Sequence, residues 1–164
     1  MAYTKTSTAI GLPAVTATIL ATDYLKSPAV GTIAQFTDPT YGTGEFIWLN
    51  GCASTVVGDV VIYDQNAGTT TLATAGSRGP AAVAMSINLA TYQGWYQISG
   101  SAVVKSGTVA ANAKVYATST AGQVDDAVVS GDQITGAVFK TADGTPSAGF
   151  ATVQLDRPSM DGTG

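Results

Sequence analysis

Gly94-Trp95-Tyr96-Gln97-Ile98-Ser99 decides the fold, because its pattern returns later in the chain as Gly149-Phe150-Ala151-Thr152-Val153-Gln154. In both stretches a glycine leads into an aromatic residue, and small or apolar residues then alternate with polar ones. Successive strand residues point to opposite faces, so Tyr96/Ile98 and Ala151/Val153 occupy one face of their strands, and Trp95/Gln97/Ser99 and Phe150/Thr152/Gln154 the other. Working outward at a nearly constant offset, Ala82-Val83-Ala84-Met85 falls over Ala137-Val138-Phe139-Lys140. Asp59-Val60-Val61-Ile62-Tyr63 falls over Asn112-Ala113-Lys114-Val115-Tyr116, and Ala67-Gly68 and Ala121-Gly122 mark a hairpin turn in each copy. Residues 45–97 and 98–155 therefore read as two degenerate tandem copies of one β-rich unit. Two copies are too few for a solenoid. They are expected to close on each other as one compact all-β body, a barrel or a sandwich.

The composition agrees with strands and turns. The chain has 164 residues, enough for one domain with a real core. Only 11% are charged, and that leaves a surface of hydroxyls and amides, more natural for an assembled subunit than for a free monomer. Net charge is −4, and the seven cations are scattered singly from Lys5 to Arg157. Without clustered Lys and Arg there is no counterion release to drive nucleic-acid binding. The longest uncharged stretches, Thr6 to Thr22 and Gly79 to Val104, are broken by Gly11 and Pro13 in the first and by Asn88, Gln93 and Gln97 in the second, so neither is read as a membrane span. The one cysteine, Cys52, reads as a small buried thiol.

Three regions follow along the chain. Residues 1–30 read as an N-terminal arm. Its Ile10, Leu12, Ile19, Leu20, Tyr24 and Leu25 supply apolar anchors without a clean period, and Pro13, Pro28 and the many threonines argue against a long helix. Ordering such a segment costs about 1–2 kcal/mol per residue in backbone entropy, so it must dock on its own body, a sister subunit or a larger partner. Residues 31–157 form the body. Within it Glu45-Phe46-Ile47-Trp48-Leu49 is apolar almost throughout and should be covered on both faces, and the Gly94 strand should continue, kinked at Gly100, into Ala102-Val103-Val104. Residues 158–164 read as a loose tail.

Catalytic chemistry has little to work with. The absence of histidine removes the commonest general base and nucleophile activator. Glu45 is the only glutamate, and Asp59, Asp64, Asp125, Asp126 and Asp132 each occupy a turn position that accounts for them without catalysis. Asp125-Asp126 with Asp132 does not have the spacing of a calcium loop and reads as solvated turn acids, so no metal or other cofactor is expected. Trp48, Tyr41, Tyr63, Tyr92, Trp95, Tyr96 and Tyr116 fall largely on alternating strand positions. That favours core or subunit-interface packing over a sugar platform.

With its Thr/Ser-rich arm, the strand Val57-Gly58-Asp59-Val60-Val61-Ile62-Tyr63, the strand Gly79-Pro80-Ala81-Ala82-Val83-Ala84 and the ending Gly149 to Leu155, the chain resembles tailed-bacteriophage capsid decoration proteins, also called cement or head-stabilising proteins. The resemblance covers about residues 30–157 and carries no active site. It implies a small β-barrel, commonly a homotrimer, on the outer capsid surface of the virion. There it would clamp neighbouring subunits of the major capsid protein, with the arm residues named above as anchors. A carbohydrate- or receptor-binding β module of a phage fibre is the alternative, and it would use exposed Trp or Tyr.

Overall fold

The structure, a computed structural model, describes residues 3–5 and 11–162. Among them there is no helix. The strands are β1 (Thr4–Lys5), β2 (Thr18–Leu20), β3 (Ile33–Asp38), β4 (Gly42–Asn50), β5 (Val60–Tyr63), β6 (Thr70–Leu72), β7 (Gly79–Ala84), β8 (Tyr92–Lys105), β9 (Lys114–Ala117), β10 (Val124–Asp125), β11 (Gln133–Phe139) and β12 (Phe150–Met160). All pair antiparallel in one branched sheet of order β1-β3-β4-β8-β7-β12-β11-β9-β10, with β2 on β8 and β6-β5 on β7.

The two tandem units have the same connectivity. In the first, β5 pairs with β6 and β7, and β7 pairs with β8; in the second, β9 pairs with β10 and β11, and β11 pairs with β12. The units join through their last strands, Phe150 opposite Lys105 through to Asp156 opposite Ser99. Backbone conformation sharpens the correspondence. Two residues before β5 stands Gly58 at φ 87°, and two before β9 stands Asn112 at φ 67°. Asparagine is among the few residues besides glycine that tolerate this left-handed region. Gly58 rather than Asp59 is therefore the counterpart of Asn112, one residue off the match read from the sequence.

The sheet does not close into a barrel, so of the two expected forms the molecule takes the sandwich-like one. The reason lies in β8. Its first half pairs with β4 on one side and with β2 and β7 on the other, whereas its second half pairs with β12. The strand bends at Gly100, whose φ of 91° is open to glycine, and a side chain there would run into Thr43 O at 2.6 Å. Hydrogen bonding thus branches instead of completing a ring.

Branching stacks the layers over three apolar clusters. Phe46 and Trp48 of β4 face one of them, with Val15, Phe36, Met85 and Trp95; Ile47 and Leu49 face a second, with Val61, Ala82, Ala84, Tyr96 and Ile98. This is the two-sided burial that the run Phe46–Leu49 predicts, and all four residues are fully enclosed. The third cluster lies between the units and is built mainly of Ala and Val, including Ala81, Val83, Ala102, Val104, Val115 and Val153. The tail expected to be loose from Pro158 instead continues β12. Ser159 and Met160 pair with Pro80 and Gly79 on one side and with Thr135 and Ile134 on the other, and Pro158 and Met160 are buried. Arg157, at φ 44°, sits between the two registers of β12, and this bulge accommodates a proline that lacks the N–H of a regular ladder.

Candidate interaction surface

The arm docks on its own body. Tyr3 stacks edge-on against Phe46 at 5.1 Å between ring centroids, and its hydroxyl donates to Ser101 O at 3.0 Å. Burial pushes the Tyr3 pKa up to about 12, with a smaller opposing effect from its hydrogen bond to Gln97. Val15 is buried, Leu12 and Ile19 are half-buried against the same aromatic cluster, and β2 adds three residues to the edge of β8. Trp95 Nε1 donates to Pro13 O at 3.3 Å. The apolar residues of the arm without helical period thus pay out their burial against Phe36, Phe46, Trp48 and Trp95, whose rings meet edge to face at 5.1–5.3 Å.

Past β2 the arm turns outward and returns. Asp23 N donates to Leu20 O at 2.8 Å, and Lys26 N and Ser27 N both donate to Asp23 O, so residues 20–27 form a tight corner. Its base is clamped. Ser27 Oγ donates to Gln93 Oε1, Trp48 Nε1 is shared between Ser27 Oγ at 3.0 Å and Gln93 Oε1 at 3.1 Å, and Gln93 Nε2 donates to Asn50 Oδ1 at 2.8 Å. Satisfied buried networks of this kind fix geometry. Above the clamp the side chains project into solvent to different degrees: Tyr24 is 83% exposed, Leu25 100% and Leu20 48%. The adjoining turn adds exposed Leu89, through Tyr92 N to Leu89 O and Ala21 N to Thr91 O, both 2.9 Å. The only charges on the corner, Asp23 and Lys26, pair with each other at 3.1 Å and leave it neutral.

The six anchor residues therefore divide. Ile10 lies outside the described residues, Leu12 and Ile19 pack internally, and Leu20, Tyr24 and Leu25 project. Sequence reasoning missed a second apolar tip, Val128 (81% exposed) and Val129 (48%), in the loop from β10 to β11. Its signal was a Val-Val pair in a turn region where no alternation calls for apolar residues.

The aspartates weighed for chemistry serve the backbone. Asp64 Oδ1 accepts from Asn66 N and Ala67 N, Asp125 Oδ1 from Ala127 N, Asp126 Oδ2 from Ala110 N and Asp132 Oδ1 from Gly76 N. Asp59 is buried, accepts from Val56 N at 2.8 Å through Oδ2 and pairs through Oδ1 with Lys105 Nζ at 2.8 Å. Burial raises the Asp125 pKa, helped by the neighbouring Asp126 charge and opposed by the bond from Ala127. Among the described residues no three acidic or Cys side chains converge on a point where a cation would sit. Cys52 is half-buried, with Sγ 3.0 Å from Thr55 Oγ1. Trp48 and Trp95 are fully enclosed, so neither can act as a sugar platform. No helix among the described residues is long and apolar enough to cross a membrane. Comparison with protein-family models and with curated proteins finds no match for the chain.

Proposed function

We propose that the chain is a non-enzymatic structural virion protein that decorates the outer capsid surface and clamps neighbouring major capsid subunits, acting as a homotrimer. The observation that carries this reading is the corner of residues 20–27: Tyr24 and Leu25 stand in solvent, with half-exposed Leu20 beside them, over a partly buried polar clamp. Fully burying a leucine-sized side chain contributes about 1.5–3 kcal/mol, so leaving Leu25 and Tyr24 bare stabilises nothing in the isolated chain. A neutral apolar corner suits insertion into a pocket on a partner. Each contact is modest, and three copies per trimer engaging one shell multiply it through effective concentration. A charge-poor surface without basic clusters fits protein partners better than nucleic acid.

The test is to mix the purified protein with undecorated shells of the cognate phage and image the particles. Added density at three-fold or quasi-three-fold positions on the outer face is the expected result. Bare shells at saturating protein would overturn the reading. Deleting residues 1–28 is not a clean probe, because Val15 and β2 belong to the folded body; substitutions at the corner are.

A further inference from the structure

A surface cleft lies at the far end of the first unit, away from the residues used above. It encloses about 410 Å³ between the end of β5, the turn from Asp64 to Thr69, the outer edge of β6 and the loop that enters β7. Its lining combines buried Ile62, half-buried Tyr63 and exposed Pro80 with a rim of exposed Asp64, Thr71 and Arg78. On a chain in which only 11% of residues are charged, a rim with one fixed carboxylate and one guanidinium is a concentration of polar chemistry.

Both charged groups line the cleft with hydrogen-bonding capacity left over. Asp64 is fixed through Oδ1 by two backbone N–H groups, at 2.8 and 3.1 Å, and that leaves Oδ2 to accept from a ligand. Arg78 enters no ion pair among the described residues. Its stem is packed under the chain at Gly162, where an added Cβ would come within 2.5 Å of Arg78 Cγ. The close approach of Gly162 to the arginine stem leaves the guanidinium at the cleft rim.

We propose that this cleft binds a neutral saccharide. A pyranose presents an apolar C–H face and a rim of hydroxyls that both donate and accept. The apolar lining of Ile62, Tyr63 and Pro80 matches the first, and Asp64 as acceptor with Arg78 as donor matches the second. The two rim charges cancel, and this disfavours phosphate or carboxylate ligands; one carboxylate is too few for a cation. The open, polar rim equally disfavours an apolar peptide.

Labelled protein is to be applied to an array of neutral and acidic oligosaccharides, and the strongest neutral hit titrated by NMR against wild type, Arg78→Ala and Asp64→Asn. Arg78 is exposed, and asparagine preserves the turn at position 64, so both variants retain the fold. The expected result is retention of neutral glycans, with resonances of Tyr63, Thr71 and Arg78 moving, and about a tenfold weakening in each variant, the loss of one charge-assisted hydrogen bond. Retention of acidic glycans only, no retention at all, or undiminished binding by Arg78→Ala would overturn the proposal. Shell occupancy by Arg78→Ala should match wild type, which keeps this test separate from that of capsid binding.

Discussion

Beneath the arm the core is aromatic, and between the two units it is small. Phe36, Phe46, Trp48 and Trp95 hold down segments whose strands are only two and three residues long, whereas Ala102, Val104 and Val153 lie on strands joined over seven successive pairs from Lys105 to Ser99. The arm has few ladder hydrogen bonds, so its order rests on the area of the rings it covers. The units have many, and small side chains let their sheets approach. The two cores should therefore fail in opposite ways.

Removing volume damages the arm side most. Trp95→Ala should cost about 3–5 kcal/mol in urea unfolding, and amide exchange should show lost protection in residues 12–27 before the units open. Uniform loss of protection across both units would erase the contrast. Alkaline titration probes the remaining cluster, which Tyr96 shares with Ile47, Leu49 and Ile98. Burial pushes the Tyr96 pKa from its ordinary 10.0 up to about 12, so its neutral phenol contributes fully below pH 10, and that contribution is lost as pH rises from 10 through 12. The shift corresponds to about 2–3 kcal/mol. Tyr96→Phe should lessen the fall of stability over that range, leaving the part due to Tyr3, whose pKa burial also raises to about 12, and an unchanged slope would remove Tyr96 as a cause. Adding volume, by contrast, should damage the interface between units. Ala102→Leu should cost about 1–3 kcal/mol with the arm still protected, because Ala102 is fully enclosed among Val and Ala. Stability equal to wild type would mean the interface has slack that the small residues do not imply.

Much of this contrast was legible in the sequence. Glycine-aromatic pairs recurring at Gly94–Trp95 and Gly149–Phe150 pointed to two β-rich copies, although Gly94 lies inside β8 and residues 98–105, read as the start of the second copy, complete that strand of the first unit; the unbroken apolar run Phe46–Leu49 gave the strand with both faces covered. Strand periodicity is local, and both features are local. What stayed hidden depends on distant partners. Tyr3 finds Ser101 across 98 residues and Pro13 finds Trp95 across 82, so which arm residues would be spent inside the molecule could not be read from the arm itself. The tail 158–164 read as loose because it offers little to bury, yet Pro158 and Met160 are buried in the continued β12. The bulge at Arg157 that lets β12 continue is a backbone conformation at a residue type that does not announce it. The exposed corner was legible only as part of a longer set of anchors. It took the clamp of Ser27, Gln93 and Trp48 to separate Tyr24 and Leu25 from Leu12 and Ile19.

The smallest expected effect on folding belongs to that corner, and it carries the largest expected effect on function. Tyr24→Ser with Leu25→Ser changes two side chains that touch almost nothing, so the unfolding midpoint should stay within the range of an ordinary surface change, about 0.5 kcal/mol. The decisive measurement is the occupancy of undecorated shells by this double variant at a protein concentration that saturates them with wild type. Occupancy falling to background while the fold is intact is the predicted result, and full decoration by the double variant would contradict the account.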